Sequence, residues 1–168
     1  MLRIRPATPA DHPLIRSIAH RTWPATFGHI LSPEQIDYML DWMYSLPALA
    51  AQAAGGHTFL LLYRDGEALG YAGFELHHEP AVAKLHKLYL LPAAQGSGGG
   101  RLLVEEVLHR CRAAGVARLR LHVNYQNPAV DFYAHLGFAI TRRVDVEIGR
   151  GYRMEDFVME RPVGLAHG

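Results

Sequence analysis

A glycine-rich segment is the part of this sequence whose residues are best suited to chemistry. It reads Gln95-Gly96-Ser97-Gly98-Gly99-Gly100-Arg101, between an apolar run that ends at Pro92 and an amphipathic stretch up to Ala114. Glycines before a helix leave several backbone N–H groups free, and these donors, with the positive end of the helix dipole, attract anions. The segment therefore predicts a phosphate-binding loop, of a kind that any nucleotide-containing cofactor could use.

Two common phosphate-binding motifs do not fit this segment. A Walker loop ends in Gly-Lys-Ser/Thr, whereas Gly100 is followed here by Arg101 and Leu102. A dinucleotide-binding fingerprint needs an acidic residue at the end of the next strand, and that predicted strand ends with His122-Val123-Asn124. The loop therefore belongs to neither of these motif classes.

A second motif follows the loop about thirty residues later. Gln95, Gly98 and Gly100 fit the pattern Gln/Arg-x-x-Gly-x-Gly/Ala, and residues 127–138 read Asn-Pro-Ala-Val-Asp-Phe-Tyr-Ala-His-Leu-Gly-Phe. With the strand Leu88–Pro92 before the loop, the sequence resembles the GNAT N-acetyltransferase superfamily. The resemblance implies acetyl-CoA as cosubstrate, and direct acetyl transfer to an amine within a ternary complex. Asn127 departs from the family pattern by lying one residue closer to Tyr133 than is usual.

The resemblance also assigns residues to the cosubstrate. It implies that the loop amides cradle the pyrophosphate, from Gly96, Ser97, Gly98, Gly99, Gly100 and Arg101. It implies that the strand edge at Leu88, Tyr89 and Leu90 binds the pantetheine, with a backbone N–H near Leu90 polarising the thioester carbonyl. Gln95 and Asn127 complete this set, although Asn127 would also suit a helix N-cap. The apolar pattern slips between Lys87 and Leu88, as a bulge or a strand buried on both faces would produce.

Acid–base candidates follow from the same comparison. Tyr133 aligns with the family's tyrosine near the CoA sulfur, where a phenol can protonate the departing thiolate; the alternative is aromatic packing. His86 is our leading general base, because histidine has an unperturbed pKa of about 6.5. His122 and Glu75 are its rivals, and a water relay is a further alternative.

The sequence gives less information about the acceptor than about the cosubstrate. We predict that Trp23, Phe27 and Glu75 bind it, although core packing explains the two aromatic residues equally well. The segment from Thr22 to Leu40 is similar to the polyamine (spermidine/spermine) branch of the family, and residues 1–80 carry 8 acidic but only 5 basic side chains. A small-molecule amine is therefore favoured. Acetylation of protein N-termini or lysines, and a non-catalytic acyl-CoA sensor, stay open as alternatives.

Hydrophobic periodicity predicts the elements that position these residues. Their order is β-α-α-β-β-β, then the glycine loop, then α-β-α-β-β, within one domain over residues 1–168. Helices begin at Thr8 and Ser32, and hairpin turns lie at Asp65-Gly66 and Gly149–Gly151. Met39, Trp42 and Met43 are expected to be core and packing residues of the second helix. The fold class is mixed α/β with one parallel strand pair. The resemblance implies the GNAT fold, in which a mostly antiparallel sheet has a central splayed parallel pair and is flanked by helices. A disordered tail is predicted from about residue 162 to residue 168.

Composition narrows the class of protein. The 168 residues carry a formal net charge of +1, which gives no reason to expect nucleic-acid binding. The single cysteine, Cys111, excludes an intramolecular disulfide, reads as a core residue, and leaves no cysteine cluster for structural zinc, so we expect no metal. No apolar run is long enough to span a bilayer and no signal peptide is evident, so a cytoplasmic location is expected. A homodimer through the final hairpin is compatible with the sequence.

Overall fold

The computed structural model describes residues 1–164, and within them the chain forms one seven-stranded sheet. The strands are β1 Leu2–Pro6, β2 His57–Arg64, β3 Glu67–Glu79, β4 Val82–Leu90, β5 Arg118–Asn124, β6 Ala139–Gly149 and β7 Tyr152–Pro162. The helices are α1 His12–Phe27, α2 Pro33–Tyr44, α3 Leu46–Ala54, α4 Gly99–Ala113 and α5 Ala129–His135. Short 3-10 turns cover Pro9–Asp11 and Pro92–Ala94. No helix in this range is both long and apolar enough to cross a membrane.

The sheet has the order β1-β2-β3-β4-β5-β7-β6 and one parallel pair. That pair joins β4 to β5, and its register runs from Val82 opposite Arg118 to Leu85 opposite Leu121. Beyond these four residue pairs the two strands separate, because no further pairing links residues 86–90 to residues 122–124. The predicted class, a mostly antiparallel sheet with a splayed parallel pair, is confirmed.

A β-bulge lies at the point where the strands begin to separate. Lys87 is opposite Gly73 while Leu85 is opposite Phe74, so His86 is the extra residue in β4. A bulge puts neighbouring side chains on one face of a strand that would otherwise alternate. Of the two explanations for the slip in the apolar pattern, the bulge is the one found.

Helices cover both faces of the sheet. One face packs on α4 and α5 through residues such as Leu62, Leu85, Val107 and Leu121. The other packs on α1, α2 and α3, with Trp23, Leu61 and Tyr71 among its buried residues. Cys111 is buried in the first of these cores, as the sequence predicts.

Four details differ from the sequence-based expectations. Helix α3 is missing from the predicted order, although Ser45 caps it by accepting a hydrogen bond from Ala48 N. The helix start at Thr8 gives a 3-10 turn, and α1 begins at His12. Trp42, predicted to pack in the core, is half exposed. Finally, Pro162 belongs to β7 and the amide of Val163 donates to Ala117 O, while residues 165–168 of the predicted tail lie outside the described residues.

Candidate active site

The glycine-rich loop has a backbone shape that leaves its amides free. Gly98 is left-handed, with φ of 84°, and forms the N-cap of α4. A Cβ on Gly99 would lie 2.4 Å from a methyl group of Leu62, so the helix start is packed too closely on β2 for a larger residue. The amides of Gly98, Gly100 and Arg101 donate to no other group in residues 1–164. They form an anion cradle at the positive end of a fifteen-residue helix.

Two side chains brace this loop internally. Gln95 donates from Nε2 to the carbonyl oxygen of Leu90 over 3.3 Å, which ties the loop to the end of β4. Ser97 Oγ accepts a hydrogen bond of 3.2 Å from the amide of Gly99. The loop is therefore held in position by its own residues, and its remaining amides point away from these contacts.

The edge of β4 next to the loop is open. The amide of Leu91 donates to Leu69 O on β3, and neighbouring amides in a strand point in opposite directions. The amides of Leu90 and Leu88 therefore face the gap that opens between β4 and β5. An extended ligand in that gap could pair with this edge as another strand would.

A cavity of about 190 Å³ occupies the gap and continues under α1 and α2. Its wall is mixed, with aromatic and methionine side chains from the helices and polar side chains from the strands. The predicted site residues that line it are Trp23, Phe27, His86, Leu88, Tyr89, His122, Asn127 and Tyr133. The structure thus brings both acid–base candidates to one cavity.

Tyr133 reaches this cavity from α5. Its side chain is 7% exposed, and Phe132 and Phe138 pack on its ring. No group in residues 1–164 hydrogen-bonds its hydroxyl, and burial raises its pKa well above the usual value for tyrosine. The phenol therefore stays protonated at neutral pH, as a proton donor must.

His86 lines the same cavity from the bulge in β4 and is held by Glu75. Their atoms Nε2 and Oε1 are 2.8 Å apart. Burial lowers the pKa of His86, even though the carboxylate of Glu75 acts in the opposite direction. The ring is therefore neutral, with Glu75 accepting its Nε2 proton. Glu75, predicted to bind the acceptor, is not part of the cavity wall and reaches it through His86.

Asp156 is the residue that sequence reasoning missed. It lies opposite Asn124 in the β5–β7 register, is 6% exposed, and is the one acidic side chain among the described residues that line the cavity. Burial raises its pKa to about 6, and nearby Lys84 opposes that shift. In the sequence, the only sign that Asp156 is buried was its position directly before the apolar run Phe157–Met159 of the last strand.

The other candidates occupy supporting positions. Trp23 and Phe27 are almost fully buried, with ring centroids 4.7 Å apart, so they pack in the core and also close one side of the cavity. Asn127 accepts a hydrogen bond from Ala129 N through Oδ1 just before α5, whose N-cap is Pro128, and Asn127 also lines the cavity. His122 lines the cavity from β5, and burial lowers its pKa to about 4.

Known proteins with similar sequences show the family to which this chain belongs. The family model described as "Acetyltransferase (GNAT) family" matches residues 13–138, which include the loop, the bulge and Tyr133. The chain belongs to the GNAT acetyltransferase family. Its curated relatives include an uncharacterized N-acetyltransferase of Mycobacterium bovis, 32% identical over 156 residues, covering 92% of this chain and 97% of the relative.

Other GNAT proteins match over shorter or more distant ranges. The mycothiol acetyltransferase of Streptomyces griseus is 35% identical over 89 residues, which are 52% of this chain and 29% of that protein. The PaiA N-acetyltransferase of Thermoplasma acidophilum, crystallised with coenzyme A, superimposes with a TM-score of 0.83. It is 24% identical and the match covers 96% of this chain and 99% of that one, so it establishes the shared GNAT fold.

Membership of the GNAT family makes this protein an acetyl-CoA-dependent N-acetyltransferase. The residues present suit that cosubstrate, since the cradle at the start of α4 offers amides for phosphate and the open β4 edge offers hydrogen bonds for an extended chain. The polyamine branch of the GNAT family, favoured by residues 22–40, is not indicated by these comparisons.

Proposed function

We propose that this GNAT protein transfers the acetyl group of acetyl-CoA directly to the primary amine of a small molecule. The observation that carries the proposal is the placement of Tyr133 and His86 in the wall of one cavity, at the gap between β4 and β5. A proton donor and a proton acceptor on either side of a gap are what direct attack by an amine requires.

The cosubstrate side of the proposal uses mainly backbone groups. Acetyl-CoA supplies the thioester whose carbonyl carbon the amine attacks. The free loop amides, among them those of Gly98, Gly100 and Arg101, would hold its pyrophosphate, and the β4 edge would hold its pantetheine. The amide of Leu90, which faces the gap, would stabilise the negative charge that develops on the carbonyl oxygen.

Proton transfer on the acceptor side uses two side chains. His86, kept neutral by burial and oriented by Glu75, would take the proton that the amine loses as it forms the new bond. Tyr133, kept protonated by burial, would give its proton to the departing thiolate of CoA. Asn127, whose amide group lines the cavity, would bind the cosubstrate near that thiolate.

The acceptor part of the cavity favours a compact molecule with one amine. Helix α1 covers it with Trp23 and Phe27, and α2 adds Met39 and Met43, which leaves little room for a peptide chain. Asp156 offers one carboxylate for an ammonium group, but basic side chains of Lys84, Lys87 and Arg153 line the same cavity. A polyamine would therefore bring its second positive charge close to other positive charges, whereas an amine that also carries an acidic group would not.

An acceptor panel tests the proposal. Thiol release from acetyl-CoA is measured with amino acids, amino sugars, polyamines and N-terminal peptides, each matched to a tertiary amine of similar shape that cannot be acetylated. We expect release that depends on a small primary amine and exceeds the release with polyamines. Acetyl-CoA binding without any acceptor-dependent release would overturn the proposal in favour of an acyl-CoA sensor, and preference for peptides would overturn the small-molecule part.

A further inference from the structure

Three neighbouring strands place an unusual group of side chains beside the cavity. His57 on β2 is the cross-strand partner of Glu75 on β3, and the bulge in β4 turns His86 to the same carboxylate. His78, three residues after Glu75, completes the group, which we call the histidine cluster. All four side chains are partly buried, between 16% and 29% exposed.

The donor atoms of the histidine cluster converge on one point. Glu75 Oε1 lies 2.8 Å from His86 Nε2, 3.0 Å from His78 Nδ1 and 3.5 Å from His57 Nε2. The imidazole rings of His57 and His86 stack with centroids 4.2 Å apart, and the Nε2 atoms of both rings lie near the same carboxylate oxygen. Orienting one general base requires one partner, and the other two rings at this carboxylate therefore call for a different explanation.

The spacing of these atoms suits a transition-metal ion. One ligand atom each from His57, Glu75 and His86 lies within 4.8 Å of the other two. In a tetrahedral zinc site with bonds of about 2.0–2.1 Å, ligand atoms are roughly 3.3 Å apart. Small side-chain rotations would therefore close the cluster around an ion. Imidazole nitrogen and carboxylate oxygen are donors that Zn²⁺ accepts, and His78 could supply a fourth ligand.

We infer that His57, Glu75 and His86, with His78, form a binding site for a divalent transition-metal ion such as Zn²⁺, and that the occupied site inhibits acetyl transfer. In the free protein the Nε2 proton of His86 is donated to Glu75, so an ion that binds Nε2 requires this proton to move to Nδ1; the ring stays neutral and no net proton is lost. The inhibition rests on the proposed function, since the Nδ1 lone pair that would accept the proton of the amine is then protonated.

The surroundings indicate a reversible site. His57 Nδ1 is buried and has no hydrogen-bond partner among residues 1–164, whereas structural zinc sites usually anchor the outer nitrogen of each ligating ring. The positive charges of Lys84 and Lys87 act on the rings of His57 and His86. Both features weaken cation binding, so the site would respond to changing metal concentration instead of holding its ion permanently.

Calorimetry on the full chain, made metal-free with a chelator, tests the binding step without acetyl-CoA. We expect one Zn²⁺ per chain, and affinity at least about tenfold lower in both His57→Gln and Glu75→Gln, because each removes a ligand. His109→Gln changes an exposed histidine of α4 and should leave the affinity unchanged. Thermal unfolding of each variant shows that it is folded, and His78→Gln provides a second ligand variant. The inference would be refuted by an absence of saturable Zn²⁺ binding, or by an unchanged Zn²⁺ affinity in His57→Gln.

The inhibition step has a separate readout. Zn²⁺ should lower the acetyl-transfer rate in proportion to the occupancy measured by calorimetry, and His57→Gln should need about tenfold more Zn²⁺ for the same fractional loss relative to its own metal-free rate. Full activity at full occupancy would overturn the inhibitory role. An absence of transfer without metal, with binding intact, would instead overturn the proposed function, so the two failures are distinguishable.

Discussion

Under the proposed function, the two sides of the gap between β4 and β5 would recognise their ligands by different means. On the cosubstrate side, residues 88–101 offer backbone amides, and their side chains mostly brace the loop itself. On the acceptor side, His86, Glu75 and Asp156 would act through side chains that three strands bring together. Ligand recognition by backbone amides needs small residues in a fixed order along the chain. Recognition by side chains needs a particular pairing register between neighbouring strands. This difference explains why one side can be recognised in the sequence and the other is specific to this chain.

Removing the Tyr133 hydroxyl should have the largest effect. We expect Tyr133→Phe to lower kcat by at least about a hundredfold, because general acid catalysis typically contributes 10²–10⁴-fold. The KM for acetyl-CoA should barely change, since the backbone amides that bind it are intact. Steady-state kinetics check this, with Tyr125→Phe as the control, since Tyr125 packs on Phe157 outside the cavity. Equal losses in the two variants would contradict the assignment of Tyr133.

Replacing Asp156 measures how far its buried carboxylate lowers the free energy of unfolding. Its pKa is raised to about 6, so the folded protein binds this proton more tightly than the unfolded chain does. Stability from this group is therefore present below about pH 4 and is lost as pH rises through 6. We expect Asp156→Asn to be more stable than wild type at pH 7 by roughly 2–3 kcal/mol, at 1.36 kcal/mol per pKa unit.

The measurement for Asp156 is urea unfolding of both proteins at pH 4 and pH 7. The difference should fall to about 0.5 kcal/mol at pH 4, where Asp156 is protonated in the folded protein and is close to the midpoint of its titration in the unfolded chain. Lys84 and Tyr89 are the titratable neighbours that interact with this carboxyl group, so Lys84→Met provides a second background for the comparison. A difference that does not depend on pH would mean that the carboxyl group is solvated, contrary to its burial.

Two glycines, one in the cosubstrate loop and one outside it, provide a matched pair of variants. Gly98 and Gly115 both have left-handed backbones, with φ of 84° and 73°, and a Cβ added at either would meet nothing within 4 Å beyond its chain neighbours. Replacing either with alanine should destabilise the fold by about 1 kcal/mol. Only Gly98→Ala should weaken acetyl-CoA binding, by about tenfold, because its methyl group intrudes on the anion cradle. Comparable losses of affinity in both variants would attribute the effect to stability instead.

The sequence was informative wherever a local rule decides the structure. The loop from Gln95 to Arg101 and the parallel pair follow from glycine spacing and element order. The break in alternation between Lys87 and Leu88 was compatible with the bulge found at His86 but did not distinguish it from a strand buried on both faces. Helix α3 also carries a local signal, Ser45 followed by Leu46 and Pro47, but it lies between two elements with stronger patterns. The placement of Tyr133 beside the gap agrees with its motif, whereas its catalytic role stays a prediction.

The positions of residues that depend on partners far away in the sequence could not be predicted from local rules. Glu75 joins three histidines only because of the β2–β3 register and a bulge eleven residues later. Asp156 enters the cavity through its pairing with Asn124, thirty-two positions earlier in the chain. Neither relation leaves a pattern within a short window of sequence, so acceptor recognition depends on the assembled sheet.

The short parallel ladder between β4 and β5 joins two parts of the sheet. His86 and the open β4 edge belong to the part formed by β1 to β4, whereas Tyr133, on α5, lies beside β5 in the part formed by β5, β6 and β7. Four residue pairs link these two parts within the sheet, and α4 packs across them. The ladder ends at Leu85, the chain neighbour of His86, so its length determines where the gap opens beside the proposed proton acceptor. A substitution in the last pair, at Leu85 or Leu121, should therefore alter turnover by changing the width of that gap.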